Sequence, residues 1–264
     1  MSRVVITSTW SGIGGSTTAF VNLCNGLNDE NVETLFIGPH DWHLGRCKGQ
    51  QKELLDFDFQ SSDIVIFHHF KSIPELNVNR KVVSIHELNF DCGCFENYDL
   101  IHFVCKKAYD FFKARIGNKK FFIAPCIVDE FKRNPKPSML VAGVIGRIDE
   151  NKQVHVSIER ALDGGFGKIL IYGQIFDYAY WNVKIRPYVL KYKGIIEYRG
   201  VENNKQMMYD SVTDVFCSSK SETGPLIKEE SLRTGTRFHG NEATEGLEVL
   251  SKKEIIDIWR LNIF

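Results

Sequence analysis

The sequence predicts an α/β fold made of two Rossmann-like, doubly wound domains that face each other across a cleft. Short apolar runs rich in β-branched residues alternate with helical patterns, which is the order of a parallel sheet covered by helices on both faces. This alternation stops at a polar, proline-containing segment, 132–137, and then starts again. A chain of 264 residues is long enough for two small domains of this kind.

The first domain is predicted over 1–135. Amphipathic helical patterns lie at 17–27 and 106–114. The strand candidates are unbroken apolar runs, which suit strands buried on both faces. They lie at 4–7, 34–37, 64–67, 82–85, 100–104 and 121–124.

The second domain, predicted over 136–252, repeats the alternation. The last segment, 253–264, has an amphipathic helical pattern, and we expect this C-terminal helix to pack back on the first domain. In doubly wound sheets the ligand lies beyond the carboxyl ends of the strands, so the cleft is the expected site. The elements of the second domain are strands at 139–146, 169–172, 195–198, 213–217 and near Phe238, and helices at 154–162, 183–192, 205–211 and from Ile227.

The composition excludes several classes of protein. Apolar residues make up 43% and charged residues 25%, and the 33 basic and 33 acidic residues cancel, so net charge indicates no particular partner. No apolar run is long enough to span a bilayer and no signal peptide opens the chain, so we expect a cytoplasmic protein. Only one residue separates the thiols of Cys92 and Cys94, so we expect reduced cysteines and no metal site.

The strongest functional signal lies in the segment 219–240. Glu222 ends a loop after the strand at 213–217, and Glu230 falls inside the helix that follows, with seven residues between the two. A loop that becomes a helix N-terminus offers unpaired backbone N–H groups and a positive dipole end. Two carboxylates beside such a turn can accept hydrogen bonds from sugar and ribose hydroxyls.

A second candidate follows the first strand of domain two. That strand ends at Gly146, and Arg147 and Lys152 flank the turn into the next helix. An arginine fork and a lysine point charge near a helix start can neutralise a diphosphate without a metal ion. A solvated pair on a loop is the alternative, but the spacing after Gly146 favours a binding site.

The first strand of domain one leads into a glycine-rich turn that contains Gly14 and Gly15. Glycines at this place let a backbone approach a phosphate closely. A dinucleotide-binding loop would need a small residue where Thr17 stands, and an acidic residue after the strand at 34–37. Both are missing, so a dehydrogenase is disfavoured. A tight turn that serves packing alone is the other alternative.

His86 stands at the carboxyl end of the strand at 82–85, where residues that line a cleft occur. A histidine with a pKa near neutral can donate to a phosphate or move a proton. His68 and His69, at the end of the preceding strand, compete for this role. We favour His86 as the catalytic candidate.

These motifs, in this order, resemble the retaining nucleotide-sugar glycosyltransferases of the GT-B fold, in particular the family 4-like enzymes with a Glu-x7-Glu motif. Gly235 and Gly240 follow the two glutamates as in that motif, and the turns at 123–129, 172–173 and 198–201 also match. The resemblance covers nearly the whole chain, although each motif is loose by itself.

The resemblance implies roles for these residues. Glu230 binds the ribose hydroxyls, and Glu222 lies beside the donor sugar without attacking it. Arg147 and Lys152 stabilise the leaving diphosphate, and His86 acts beside them in catalysis. The remaining donor contacts come from backbone groups: Gly14 and Gly15 facing the diphosphate, Gly146 before the clamp, Arg199 and Val201 at the base, and Thr223, Gly224 and Leu226 at the sugar and phosphate. Pro225 departs from the family pattern and has no N–H to donate.

The implied activity is transfer of a sugar, with retention and without a metal ion, from a nucleoside-diphosphate sugar to a hydroxyl acceptor. UDP is the favoured nucleotide, and no cofactor is expected beyond this donor. Two alternatives share the architecture. A nucleotide-sugar 2-epimerase would change the donor sugar without an acceptor, and a non-catalytic binding module would leave the donor unchanged.

The sequence gives little indication of the acceptor. Basic residues are concentrated in 102–136, which indicates either a solvated surface or a contact with an anionic partner. The anionic acceptors we consider are a glycan, a lipid-linked glycan and DNA with modified bases, the last in the host cytoplasm if the protein is viral. The basic residues are Lys106, Lys107, Lys113, Arg115, Lys119, Lys120, Lys132, Arg133 and Lys136.

Overall fold

The structure is a computed structural model that describes residues 2–8, 14–37, 47–48, 50–52, 57–68, 75–88, 95–245 and 249–264. The chain divides into two compact units. The first comprises Met1–Val128 together with Leu247–Phe264, and the second comprises Asp129–Gly246. The two units are described separately below.

The first unit contains a seven-stranded parallel sheet. The spatial order of its strands is β3-β2-β1-β4-β5-β6-β7, so the chain order reverses beside β1. Such a switch point is where open α/β sheets bind ligands. The strands are β1 (Val4–Ser8), β2 (Thr34–Ile37), β3 (Gln50–Lys52), β4 (Ile64–His68), β5 (Arg80–Ile85), β6 (Leu100–Phe103) and β7 (Lys120–Ile123).

Helices cover both faces of this sheet. Helix α1 (Gly15–Asp29) follows β1, helix α2 (Lys106–Ile116) follows β6, and a short 3₁₀ turn lies at Phe95–Asn97. Alternate strand residues face opposite layers: Val4 packs in a cluster with α1, whereas Val5 packs in a second cluster with α2. This two-sided burial explains why the strands read as continuous apolar runs.

The second unit contains a five-stranded parallel sheet in the order β10-β9-β8-β11-β12. Its strands are β8 (Val141–Ile145), β9 (Lys168–Tyr172), β10 (Ile196–Gly200), β11 (Asp214–Phe216) and β12 (Arg237–His239). Its helices are α3 (Val154–Asp163), α4 (Tyr178–Tyr180), α5 (Arg186–Lys191), α6 (Lys205–Asp210) and α7 (Leu226–Thr234), with a 3₁₀ turn at Glu242–Thr244.

The helix predicted at 183–192 starts earlier and is irregular. Helix α4 leads into a π-helical segment, Trp181–Ile185, which continues into α5. Pro187 stands at the start of α5. Because proline has no N–H to donate to the preceding turn, a wider turn before it is a physically reasonable outcome.

The segment that the sequence assigned to a linker belongs to the second unit, which begins at Asp129 and not near residue 135. The backbone N–H of Lys132 donates to Gln206 over 2.9 Å, and Asn134 Nδ2 donates to Asp210 over 2.8 Å. Lys136 Nζ donates to the carbonyl of Tyr209 over 2.9 Å. These hydrogen bonds hold a polar, proline-containing segment in place, which its composition does not indicate.

The C-terminal helix α8 (Lys252–Ile263) packs on the first unit. Its buried Ile256 and Trp259 lie in the same apolar cluster as Phe20 of α1. Arg80 donates to the carbonyl oxygens of Asn262 and Ile263, both over 2.8 Å, and so satisfies the end of the helix. Among the described residues, no helix combines the length and hydrophobicity needed to cross a bilayer.

Candidate functional site

The carboxyl ends of β8 and β9 meet at two glycines of the second unit. Gly146 and Gly173 have φ angles of 147° and 140°. A Cβ atom on Gly173 would lie 1.8 Å from the carbonyl oxygen of Gly146, so only glycine permits this approach. The N–H of Gly146 donates to the carbonyl of Tyr172 over 3.0 Å. The contact fixes the path of the chain as it enters the turn that carries Arg147.

Asp149 organises that turn. Its Oδ2 lies 3.2 Å from Arg147 Nε, and its Oδ1 accepts from the backbone N–H of Lys152 over 2.9 Å. The guanidinium carbon of Arg147 also lies 5.1 Å from the centre of the Phe176 ring, within cation–π range. Gln153 precedes α3 with a φ of 43°, the left-handed conformation that glycine adopts most freely.

Lys152 and Glu222, two of the predicted site residues, form an ion pair. Lys152 Nζ lies 2.5 Å from Glu222 Oε1, and the Glu222 side chain is only 10% exposed. The loops that carry them are also joined through the backbone, since the N–H of Lys220 donates to the carbonyl of Asn151 over 2.8 Å. The first loop after β8 and the loop after β11 therefore form one site in the second unit.

Helix α7 begins four residues after Glu222, at Leu226. Pro225 is its N-cap with an extended backbone, Leu226 is its first residue, and the N–H of Lys228 donates to the carbonyl of Pro225 over 3.0 Å. The first-turn N–H groups of a helix lack partners within the helix and favour an anion. Thr223 is buried and Gly224 half-buried. Because Pro225 has no N–H and the N–H of Lys228 is already paired, the donors that the helix offers are those of Leu226 and Ile227.

Glu230 lies inside α7 and is 2% exposed. Its Oε1 accepts from Lys205 Nζ over 2.5 Å and its Oε2 accepts from the Tyr209 hydroxyl over 2.6 Å. Lys205 also pairs with Asp129 at 3.0 Å. Burial acts to lower the pKa of Lys205, but the charges of Glu230 and Asp129 outweigh it and the pKa is raised. Burial raises the pKa of Tyr209 well above its usual value, so both groups remain proton donors.

The end of β10 carries the residues predicted to face a base. Arg199 pairs with Glu197 at 2.7 Å, and its side chain is half exposed. The Val201 side chain is exposed. The hydroxyl of Tyr198, the residue before Arg199, donates to the carbonyl of Gly173 over 2.9 Å, so this strand end is tied to the glycine contact described above.

In the first unit, Gly14 and Gly15 form the start of α1. Gly14 is the N-cap, its carbonyl accepts from the N–H of Thr18 over 3.1 Å, and Gly15 is the first helical residue. No acidic residue lies in the first turn. The positive end of the helix is therefore not neutralised by its own first turn, as an anion-binding helix start requires.

His86, also in the first unit, lines a narrow pocket between α1, the ends of β5 and β6, and α8. Its Nε2 lies 2.9 Å from Ser84 Oγ and its Nδ1 lies 3.8 Å from Cys126 Sγ. Its ring packs against Phe20 with 4.7 Å between the ring centres. The pocket is lined by Ala19, Phe20, Leu23, Ser84, His86, His102, Pro125, Cys126, Ile127 and Trp259.

The structure thus brings together Gly146, Arg147, Lys152 and Glu222 and shows supporting residues that the sequence interpretation missed. Asp149, Lys205 and Tyr209 are the missed residues. Lys205 and Tyr209 are four residues apart on α6, so the helical pattern placed them on one face, but nothing in the pattern related that face to Glu230.

Some predictions fall outside the described residues: the turn before Gly14, His69, and the thiols of Cys92 and Cys94. Within the part of the chain that is described, no three His, Cys, Asp or Glu side chains are grouped as they would be around a metal ion.

Comparison with known proteins gives a result for the fold. No protein-family model matches the sequence, and no curated protein matches it. Among solved structures, the pneumococcal O-GlcNAc transferase GtfA in complex with UDP and GlcNAc is 10% identical with a TM-score of 0.73, over 99% of this chain and 91% of that one. Anabaena HepE in complex with UDP and glucose is 11% identical with a TM-score of 0.70, over 92% and 82%. The lipopolysaccharide outer core galactosyltransferase WaaB is 15% identical with a TM-score of 0.64, over 100% and 90%.

At these identities the likeness shows the fold alone. The predicted fold class, an α/β chain of GT-B type with two parallel sheets, is confirmed.

Proposed function

We propose that this protein is a retaining, metal-independent glycosyltransferase that moves a sugar from a nucleoside-diphosphate sugar, with UDP as the nucleotide, to a hydroxyl acceptor. The observation that carries this proposal is the arrangement around α7. Glu222 pairs with Lys152 just before the helix, and Glu230 is held inside it by the half-buried Lys205 and the buried Tyr209. Two similar structures contain UDP, which supports that nucleotide. The spacing of the glutamates supports a family 4-like enzyme.

Charge stabilisation of the leaving diphosphate is the main catalytic task in this proposal. Arg147, Lys152 and the N–H groups at the start of α7 are the donors that this proposal uses, and in the ligand-free protein Arg147 is paired with Asp149 and Lys152 with Glu222. Glu222 holds Lys152 and contacts the donor sugar, and it forms no covalent bond. The backbone groups of Gly146, Thr223, Gly224 and Leu226 contact the sugar and phosphate.

Recognition of the nucleoside involves the other residues of the second unit. Glu230 accepts hydrogen bonds from the ribose hydroxyls through the oxygen lone pairs that Lys205 and Tyr209 leave available, because a carboxylate has about four acceptor sites. Backbone groups of Arg199 and Val201 contact the base. In the first unit, Gly14 and Gly15 form a second helix start that binds an anion in this proposal. His86, in the same unit, is the proposed catalytic residue.

The acceptor is a hydroxyl group on a glycan, a lipid-linked glycan or modified DNA. The surface of α2 and β7 supports contact with an anionic partner, because Lys107, Lys120 and the aromatic ring of Phe111 are exposed there. Part of the positive charge of this surface is neutralised within the helix, because Asp110 pairs with two lysines of α2. A surface of this kind binds anions in a salt-dependent manner.

The donor site can be tested by thermal unfolding with UDP, GDP, ADP and CMP in the absence of metal. A ligand at 100 times its Kd adds about 2.7 kcal/mol to the stability of the native state, which is visible as a melting shift. We expect a shift with UDP that is lost in Glu230→Ala and Arg147→Ala. Arg186→Ala, which removes an exposed arginine of α5, is the matched control.

The outcomes separate the alternatives. No shift with any nucleotide would contradict the donor site. A UDP shift followed by acceptor-independent change of the donor sugar would indicate an epimerase, and a UDP shift with an unchanged donor would indicate a binding module.

A further inference from the structure

A chain of hydrogen bonds runs behind His86 into the core of the first unit. Ser84 Oγ lies 2.9 Å from His86 Nε2 and 2.7 Å from His102 Nδ1. His102 Nε2 lies 2.8 Å from the carbonyl oxygen of Ala124. Ser84 and His102 are both buried. The serine hydroxyl therefore lies between two imidazole rings, one of which is also hydrogen-bonded to a backbone carbonyl.

The carbonyl determines where the protons lie. A carbonyl oxygen only accepts, so His102 Nε2 carries a hydrogen. Burial lowers the pKa of His102 to about 3, so at neutral pH its ring is neutral and Nδ1 carries no hydrogen. The hydroxyl of Ser84 must then donate to His102 Nδ1.

The direction of the remaining bond follows. A serine hydroxyl has one hydrogen, and the bond to His102 uses it, so Ser84 Oγ can only accept from His86. His86 Nε2 therefore carries a hydrogen. When the His86 ring is neutral, its Nδ1 then carries the lone pair. That nitrogen lies 3.8 Å from the thiol of Cys126, a weak donor at long range.

We propose that Ser84 and His102 are positioning residues that hold His86 as its Nε2–H tautomer, so that Nδ1 is a hydrogen-bond acceptor for one hydroxyl group of a ligand that lies at the mouth of this narrow pocket. The ligand's O–H donates to Nδ1 in place of the Cys126 thiol, and Ser84 continues to accept from Nε2. If the proposed glycosyl transfer is correct, this hydroxyl belongs to the acceptor. The tautomer itself does not rest on that function.

The tautomer can be measured directly on the full chain with ¹⁵N-labelled histidine, by long-range proton–nitrogen correlations at neutral pH. We expect His86 to show a protonated Nε2 and an unprotonated Nδ1. His86→Gln assigns the signals. A protonated Nδ1 with an unprotonated Nε2 in the wild type would overturn the proposal, and this spectrum requires no variant to fold beyond the one used for assignment.

Ser84→Ala tests the positioning role. We expect the two ring nitrogens of His86 to move towards averaged shifts as both tautomers become populated, and Ser84→Thr to restore the single tautomer. The matched control is Ser8→Ala, which removes the serine that lies 2.9 Å from His68 Nδ1 on the neighbouring strand end. An unchanged His86 spectrum in Ser84→Ala would show that the serine does not set the tautomer.

Methyl α-glucoside serves as the hydroxyl probe for the pocket. Titration into the wild type is expected to shift the His86 Nδ1 resonance and leave the ring nitrogens of His239, in the second unit, unchanged. No movement of the Nδ1 signal up to the solubility of the probe would overturn the ligand assignment. Because this experiment contains no nucleotide, its failure is distinguishable from failure of the donor site.

Discussion

Replacing Gly173 with alanine tests the close approach of β8 and β9 that shapes the proposed donor site. The new Cβ would lie 1.8 Å from the carbonyl oxygen and 2.7 Å from the carbonyl carbon of Gly146. Both atoms belong to the backbone, so no side-chain rotation can relieve the clash. The φ of 140° adds conformational strain, because L-residues with a Cβ rarely adopt it.

The magnitude follows from these two costs. Backbone strain in sparsely populated regions costs about 1–3 kcal/mol, and overpacking costs about 1–3 kcal/mol. The sum, about 2–6 kcal/mol, is a large fraction of a typical stability of about 5–15 kcal/mol. We also expect the chain at Arg147 to shift, and a displacement of about 1 Å can lower a rate about 100-fold.

The assay is urea unfolding combined with hydrogen–deuterium exchange of peptides from β8 and β9. Gly194→Ala is the control, because Gly194 also has a positive φ, 92°, but its Cβ would meet no described atom within 4 Å. Gly173→Ala should cost about 1–3 kcal/mol more than Gly194→Ala, the overpacking contribution. Equal costs for the two variants, with unchanged exchange in both strands, would refute the steric argument.

Three further predictions concern other parts of the chain. Tyr209→Phe should weaken UDP binding more than 2′-deoxy-UDP binding, because the hydroxyl that orients Glu230 is lost; equal weakening, measured by calorimetry, would count against a ribose contact. The folded pKa of His102 is lowered from 6.5 to about 3, so its stability contribution is complete above 6.5 and falls as the pH drops towards 3. Between pH 7 and pH 5, the free energy of unfolding of the wild type, measured in urea, should therefore fall by about 2 kcal/mol more than that of His102→Phe. Parallel curves of stability against pH for the two proteins would contradict this prediction. Trp259→Ala should destabilise the first unit by about 3–5 kcal/mol. Leu261→Ala is the control: Leu261 lies on the same helix but is 83% exposed, so its replacement should change stability by less than about 0.5 kcal/mol. Similar losses of stability in the two variants would contradict the packing of α8.

The strands were predictable where burial on both faces leaves a continuous apolar run, as in β1 and β4. Strand β3 was not, because Gln50–Lys52 pairs with β2 through its backbone and carries no apolar run. The start of the second unit at Asp129 was also missed, since the hydrogen bonds of 132–136 reach residues more than seventy positions away. Local patterns report local preferences, and they carry no signal for such distant partners.

In the candidate functional site, too, local features were predictable from the sequence and contacts between distant residues were not. The sequence placed Gly146 and Lys152 between a strand and a helix, and in the structure both lie between the end of β8 and the start of α3. The partner of each glutamate was not predicted. Lys152 and Glu222 lie 70 positions apart, and Glu230 and Lys205 lie 25 apart. Which cation reaches which carboxylate is decided by how the loops after β8 and β11 and helices α6 and α7 pack, and this depends on the tertiary structure.

The two glutamates differ in a way that bears on the proposed mechanism. Glu230 accepts from the half-buried Lys205 and the buried Tyr209 and is itself 2% exposed, so it is a fixed acceptor whose orientation is set before any ligand arrives. Among the described residues, the cationic partner of Glu222 is Lys152, whose side chain is 26% exposed. In the proposed mechanism, an arriving diphosphate would compete with Glu222 for that ammonium group, and its larger negative charge favours a shared position between carboxylate and phosphate.

In the proposed mechanism, this exchange would place a cation beside the developing charge of the leaving group. The ion pair of Lys152 and Glu222 also contributes to stability, because the Glu222 side chain is only 10% exposed and a largely buried carboxylate that loses its cation destabilises the fold. Lys152→Met should accordingly lower the melting temperature of the ligand-free protein and also abolish most of the UDP-induced shift.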